Sequence, residues 1–388
     1  LLTVPDMKEL GQAIAARHAA AERPDPADRE RLVGQAVHYF RENFDHLGDI
    51  LDEDEFRFLG DWTERELEKH GATLRGRFDD GFVRDCHGDL HLGNLVRLPS
   101  GITTFDCIEF NPDLRNTDVF ADVGFLVMDL TENGHPELAA HFLNRYLERS
   151  GDYEGAVLLD LYFVYRCLVR AKVAAIRSRE RDSDTERAAD IAKARDYAAM
   201  ARRQATNGQP ILTIMCGLSG SGKTWLSERL MAALPAIRIR SDIERKRMFG
   251  LDETADSESG IGSGIYSPSA SVETYERLFT LADSLLAAGH HVILDAAFLK
   301  KRQRVSAGSV ASSLDVDSVL VYAQAPVDVL RSRIEERAML KDEASEADLA
   351  VLEHQLATAE LPRSDEKALI VDTDHGLDIE ALADSIRT

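Results

Sequence analysis

The chain has 388 residues, more than one hydrophobic core usually serves, so two domains are expected. Its 68 acidic and 46 basic residues leave a net charge of -22, which repels phosphate backbones and anionic lipid surfaces and argues against a nucleic-acid substrate. A 44% hydrophobic content suits ordinary folding, while no apolar run reaches the length of a membrane span and no secretion signal opens the chain, so the cytosol is the expected compartment.

The chain begins at Leu1 and not at a methionine, which points to a fragment of something longer. Residues 1 to about 80 read as helices, with apolar positions three and four apart over His18 to Ala21, Leu32 to Phe44 and Phe56 to Leu74. Short strand-like segments follow: Phe82-Val83-Arg84, then Asn94 to Leu98, then Ile102 to Phe105 after a Pro99-Ser100-Gly101 turn. Cys86, Cys107, Cys167 and Cys216 lie far apart, mostly in apolar runs, and match no zinc spacing; reduced core thiols are expected.

Between these strands runs Cys86-His87-Gly88-Asp89-Leu90-His91-Leu92-Gly93-Asn94, followed by Phe105-Asp106-Cys107-Ile108-Glu109-Phe110. An Asp and an Asn five residues apart on one loop can divide the work of phosphoryl transfer. Asp89 would orient a hydroxyl, Asn94 would hold a metal, and a strand-borne Asp106 would hold the same metal from below. The region resembles the catalytic and metal loops of aminoglycoside phosphotransferases and choline-kinase-like enzymes, and Arg115 to Leu130 with Asp118 and Asp122, and Tyr165-Arg166 to Lys172, fit the same pattern. Nothing before Asp89 offers a Gly-rich loop on strands or a strand lysine, so the resemblance covers the large lobe only. It implies weak or no ATP binding in this half if the chain is whole, and a complete second kinase if a segment precedes it.

Long amphipathic helices resume from Val119 to about Arg203, and the charged run Arg177 to Arg187 reads as a solvated helix end or loop. Asn207-Gly208-Gln209-Pro210 has linker chemistry, which divides the chain into domains 1–206 and 207–388. Beyond it, apolar runs at 211 to 216, 236 to 239, 291 to 294, 317 to 322 and 368 to 371 alternate with helical patterns. The fold class is therefore α/β, with a C-terminal parallel sheet covered by helices and a mostly helical N-terminal half carrying short strands.

The run Ile211 to Cys216 leads directly into Gly217-Leu218-Ser219-Gly220-Ser221-Gly222-Lys223-Thr224, a Walker A phosphate loop between strand and helix. Its glycines let successive amides turn inward around phosphates, Lys223 reaches the β- and γ-phosphates, and Thr224 can ligate Mg²⁺. ATP and Mg²⁺ are the implied cofactors. Asp242, after the second strand, can accept the proton of an attacking hydroxyl or simply cap the helix Ile243 to Met248. Asp295 ends the third strand and suits the metal or a water of its shell, whereas His290 and His291 read as strand-edge residues. Arg331, Arg333 and Arg337 lie on one later helix, either as lid cations over a transferring phosphoryl group or as partners in surface salt bridges.

This half resembles the small P-loop kinases related to zeta toxins and the kinase domain of polynucleotide kinase. The matching residues are the loop, Ser241-Asp242 with Arg245, Gly264 to Ser267, Leu294 to Phe298, Arg333 with Arg337, and Ala344-Ser345-Glu346-Ala347-Asp348 leading to Gln355. The resemblance implies transfer of the γ-phosphoryl group of ATP to a hydroxyl, with Asp242 as base and Arg333 or Arg337 as lid cation. The order of the two halves resembles a bacterial family of fused proteins.

A small-molecule hydroxyl acceptor is expected between Asp242 and Gly260 to Tyr275, where Tyr266 and Tyr275 could stack on a ring, although a plain surface loop explains the Gly- and Ser-rich start equally well. Two other functions fit the sequence: a nucleotide-controlled binding module that phosphorylates nothing, and a 5′-hydroxyl polynucleotide kinase using Arg238, Arg240, Arg245, Lys246 and Arg247 as a basic groove.

Overall fold

A computed structural model describes residues 2–99, 101–206, 208–337 and 346–388. Asn207 of the expected linker, Ser100 of the expected turn and Ala344-Ser345 of the quoted motif lie outside the described residues. The chain forms two compact units, Leu1–Tyr146 with Gly155–Asn207, and Leu147–Glu154 with Gly208–Thr388.

In the first unit, helices α1 (Val4–Ala20), α2 (Arg29–Glu42) and α3 (Glu53–Asp79) precede strand β1 (Val83–Asp85), the hairpin β2 (Leu95–Leu98) and β3 (Gly101–Thr104), a single turn α4 (Pro112–Arg115) and strand β4 (Asn116–Asp118). Helices α5 (Val119–Glu132), α6 (Pro136–Ser150), α7 (Leu159–Glu180) and α8 (Asp184–Ala205) follow. Their start signals are local: Thr3 and Asp6 close a capping box on α1, Asp52 caps α3, and Asp118 caps α5 through the Phe120 amide. α5 is apolar nearly all round and buried from Val119 to Leu130, as a central helix must be. The charged run near 180 is the α7–α8 turn, where Arg177 and Arg181 both pair with Asp190.

β1 and β4 form an antiparallel ribbon in the register Val83↔Asp118. Because the pair is antiparallel, the 86–94 loop leaves the ribbon at its Asp85–Asn116 end and α5 leaves it at the Val83–Asp118 end. Arg77 of α3 clamps its base, donating from Nε and Nη2 to the two oxygens of Asp118 at 2.6 and 2.9 Å.

The second unit is a five-stranded parallel sheet in the order β6-β7-β5-β8-β9. The elements run β5 (Ile211–Cys216), α9 (Lys223–Ala233), β6 (Ile237–Arg240), α10 (Ser241–Met248), α11 (Pro268–Ala287), β7 (Val292–Asp295), α12 (Lys301–Ser313), β8 (Asp317–Gln324), α13 (Val327–Arg337), α14 (Leu349–Thr358), β9 (Leu369–Asp372) and α15 (Ile379–Arg387). β5 is central, pairing with β7 and with all six positions from Ile211↔Asp317 to Cys216↔Tyr322 on β8. A strand covered on both faces has no polar side, which is why β5 and β7 read as continuous apolar runs. Met215, Leu226, Leu230, Ile293 and Val321 form part of one core under α9, and the loops at the carboxyl ends of β5, β6 and β7 open on the same edge.

Candidate functional site

The phosphate loop joins β5 to α9. Gly217, Gly220 and Gly222 have φ of 152°, 78° and 80°, so the loop uses glycine where a side chain would strain the backbone. At Gly220 there is also no room, since an added Cβ would stand 2.6 Å from the Leu330 carbonyl of α13. Lys223 Nζ donates to the Leu218 carbonyl at 2.8 Å. Ser221 is buried and its Oγ has no hydrogen-bond partner among the described residues, an orphan hydroxyl on the phosphate loop that fits a phosphate oxygen.

Burial lowers the Lys223 pKa to about 8, against the pull of Asp295 and Asp242, while Arg337 pushes in the same direction as burial. Four of the expected site residues therefore share one electrostatic neighbourhood. Asp295, at the end of β7, accepts from Ser227 Oγ at 2.7 Å. Ser227 Oγ also lies 3.1 Å from the Thr224 carbonyl, and Arg238 reaches within 4.0 Å of Asp295. Thr224 itself is exposed, so its hydroxyl and the Asp295 carboxylate are oxygen donors of the kind Mg²⁺ takes.

Asp242 sits one residue inside α10, not at the strand end. Arg240 binds it in fork geometry, with Nε to Oδ1 at 3.2 Å and Nη2 to Oδ2 at 2.7 Å, and the Ile243 amide donates to Oδ1 at 3.0 Å. Burial favours the neutral acid, but Arg240 outweighs it and holds the Asp242 pKa below the usual range. Arg245, on the same helix three residues on, is buried, donates to the Ile265 carbonyl at 2.8 Å and lies over the Tyr266 ring at 5.1 Å. Tyr275 is not free to stack on a ligand: its hydroxyl accepts the Phe298 amide at 3.2 Å and its ring meets Phe298 edge-on.

The arginines of α13 separate. Arg333 donates to the Gly220 carbonyl at 3.4 Å and to Thr373 Oγ1 at 3.0 Å, so it touches the phosphate loop. Arg337 donates to the Ala347 carbonyl at 2.5 Å. Arg331 pairs with Glu353 at 2.8 Å and with Asp328, half-exposed, and is a surface residue. Sequence reasoning missed Ser227, the Arg240 clamp and the contact of Gln355 Oε1 with the Ser219 amide at 2.8 Å. Ser227 had a readable signal, since it lies on the α9 face that begins with Thr224.

In the first unit, Asn94 Nδ2 donates to the Asp89 carbonyl and Oδ2 at 2.9 and 3.2 Å, and His91 Nε2 lies 3.3 Å from the same Oδ2. The loop's backbone is held from α5: Asp122 accepts from the His87 and Gly88 amides at 2.7 and 2.9 Å. Arg166 donates to the Gly88 carbonyl at 3.0 Å, and His87 Nε2 donates to the Phe105 carbonyl at 2.8 Å. Burial raises and His91 lowers the Asp89 pKa, with the lowering prevailing. Asp106 differs from expectation. It lies two residues past β3, exposed, with φ of 59°, because the ladder with β2 ends at Thr104; its carboxylate has no partner among the described residues. His18, Cys86 and Asp122 have ligand-type atoms within 4.8 Å of one another, but Tyr146, the His87 amide and the Thr117 carbonyl already engage them, and burial keeps the thiol protonated.

Two family models match the chain: the phosphotransferase enzyme family over residues 6–159, and the AAA domain over residues 212–362. The protein therefore carries a phosphotransferase-family region followed by a P-loop region. An uncharacterized protein of Mycobacterium tuberculosis is 29% identical over 333 residues, taking in 85% of this chain and 66% of that protein, so the chain spans just under two thirds of that relative. Among solved structures, a sugar kinase from Janibacter is 20% identical at a TM-score of 0.35, covering 46% of this chain and 92% of its own. The Mycobacterium tuberculosis APS kinase is 18% identical at a TM-score of 0.34, covering 46% and 96%. Among the described residues no helix is long and apolar enough to cross a membrane.

Proposed function

We propose that the protein is an ATP-dependent, Mg²⁺-requiring phosphotransferase that moves a γ-phosphoryl group to a hydroxyl of a small metabolite, such as a sugar, nucleotide sugar or aminoglycoside-like compound, with the chemistry in the second unit. The observation that carries this reading is the set of groups at the loop and the neighbouring strand ends: Asp295 held by Ser227 Oγ at 2.7 Å, Asp242 clamped by Arg240 at 2.7 Å, and Arg333 of α13 on the Gly220 carbonyl at 3.4 Å. A loop that only bound nucleotide would need neither a clamped, ionised carboxylate at Asp242 nor a cation from α13.

In this reading the loop amides, Ser221 Oγ and Lys223 grip the phosphates. Thr224 and Asp295 hold the metal, which when bound neutralises phosphate charge. The acceptor oxygen forms its bond to the γ-phosphorus as the bond to the β-bridging oxygen breaks, and the hydroxyl proton passes to Asp242. Phosphoryl transfer through a loose transition state asks little of the base, so an ionised Asp242 of low pKa suffices. Arg333 and Arg337 stabilise the spreading charge. The phosphotransferase-family match over residues 6–159 supports the reaction class; in this reading Asp89, Asn94 and Asp106 take no part in the transfer, and that half is proposed as a large lobe that scaffolds or regulates.

The polynucleotide reading is weakened by the side chains meant to form its groove. Arg238, Arg245 and Lys246 are buried, Arg240 is spent on Asp242, and Arg247 pairs with Glu244. The test is a screen of hydroxyl compounds for stimulated ADP release by the full chain and its Asp242→Asn variant. A compound that stimulates only the wild type supports the proposal; ATP consumption indifferent to every compound and to the variant favours a nucleotide-controlled binding module.

A further inference from the structure

We infer that Gln355 is a positioning residue of the nucleotide site, its carboxamide N–H₂ holding the terminal phosphate; this rests on the nucleotide reading of the loop above. The Ser219 amide can only donate, so the atom 2.8 Å from it must be the side-chain carbonyl, Oε1. That contact fixes which end of the carboxamide is which. Nε2 is then a donor with two hydrogens and no partner among the described residues, on a half-buried side chain at the loop's rim.

The placement ties this donor to the machinery already described. One peptide unit carries both contacts, since the Leu218 carbonyl accepts from Lys223 Nζ at 2.8 Å while the Ser219 N–H of the same unit donates to Gln355. The C=O and N–H of a trans peptide point oppositely, so Lys223 and Gln355 hold this stretch of the phosphate loop from its two sides. Gln355 is also not on a wandering element. Leu352 of α14, one turn earlier, packs with Leu218 of the loop and with Leu330 and Ile334 of α13. The helix pair that presents Arg333 to the loop thus presents Gln355 as well. A neutral donor there suits an oxygen that is bridging or terminal on a triphosphate, and adds no charge to a site already holding Lys223, Arg333 and Arg337.

The competing explanation is that Gln355 merely braces the loop through Ser219. Gln355→Glu separates the two, because a carboxylate still accepts the Ser219 N–H but offers the phosphate no donor and a like charge. Binding of ADP and of a non-hydrolysable β,γ-imido ATP analogue is measured with Mg²⁺ for wild type, Gln355→Glu and Gln355→Ala, with thermal unfolding of each. Hydrogen bonds to charged partners lead us to expect that Gln355→Glu unfolds at the wild-type temperature and keeps its ADP affinity, yet loses triphosphate affinity on the order of tenfold or more. Gln355→Ala should lose about three- to tenfold. A wild-type ratio of triphosphate to diphosphate affinity in Gln355→Glu overturns the inference and leaves the nucleotide reading standing. Failure of the wild type to bind either nucleotide overturns both.

Discussion

Ser227 Oγ stands 2.7 Å from Asp295 Oδ2, joining the second turn of the helix behind the phosphate loop to the end of the third strand of the sheet. The hydroxyl orients the carboxylate that is assigned to the metal. Ser227→Ala should weaken Mg²⁺-dependent activity about 10- to 100-fold through the metal requirement, the range for an outer-shell partner, whereas Asp295→Asn should cost on the order of 10² to 10³ in rate. Rate against Mg²⁺ concentration separates them: restoration of Ser227→Ala, but not of Asp295→Asn, at high Mg²⁺ is expected.

Lys223 sets a pH dependence. Its pKa of about 8 lies below its ordinary 10.5, and bound phosphates favour the charged form, so nucleotide affinity should fall as pH rises above about 8. Binding at pH 8.5 should take up a proton, visible as a buffer-dependent calorimetric enthalpy, and Lys223→Arg should abolish that uptake. For the unliganded protein the sign is opposite: between about 8 and 10.5 the unfolded chain holds more protons at this lysine, so its contribution to stability rises with pH.

The clamp on Asp242 can be tested from its partner. Arg240→Gln leaves a half-buried carboxylate without its forked cation, so the Asp242 pKa should rise and the acid limb of the pH–rate profile should move to higher pH. Asp242→Asn should remove most phosphoryl transfer, by about 10² or more, with nucleotide affinity retained. An unmoved acid limb in Arg240→Gln would remove Asp242 from the mechanism.

A double change in the first unit, Asp89→Asn with Asn94→Ala, should leave phosphoryl transfer by the full chain within about twofold, the spread of changes remote from the chemistry. Loss of transfer in this variant would move the reaction to the loop held by Asp122.

Arg77 and Asp118 form a buried pair at the base of the β1–β4 ribbon, with side chains 6% and 3% exposed. Arg77→Met strands the carboxylate and should destabilise the first unit by about 3–5 kcal/mol in denaturant unfolding, while changing Asp118 as well should recover much of that loss.

The parts legible in the sequence were those whose signal is local. The phosphate loop declares itself because eight consecutive residues must do one job, and the parallel sheet because buried strands have no polar alternation. What was hidden depends on chain-distant pairing. Nothing near Gln355 says that it meets Ser219, and nothing near Tyr275 says that Phe298 covers it. Asp106 read as a strand residue because Ile102 to Phe105 looks extended, but β2 runs out of partners at Leu95, so the ladder stops at Thr104 and the chain turns into the left-handed region. Each helix arginine read equally well as a lid cation or a surface partner, and only chain-distant contacts separate them: Arg331 pairs with Glu353 of α14, while Arg333 reaches the Gly220 carbonyl.

The most direct test is calorimetric titration of the full chain with Mg²⁺–ATP, repeated on Lys223→Ala and on the Asp89→Asn, Asn94→Ala double variant. The account expects binding by the wild type and the double variant alike, and a loss of about tenfold or more in Lys223→Ala, as befits a buried ion pair with phosphate. Wild-type affinity in Lys223→Ala, with binding abolished in the double variant, would contradict it.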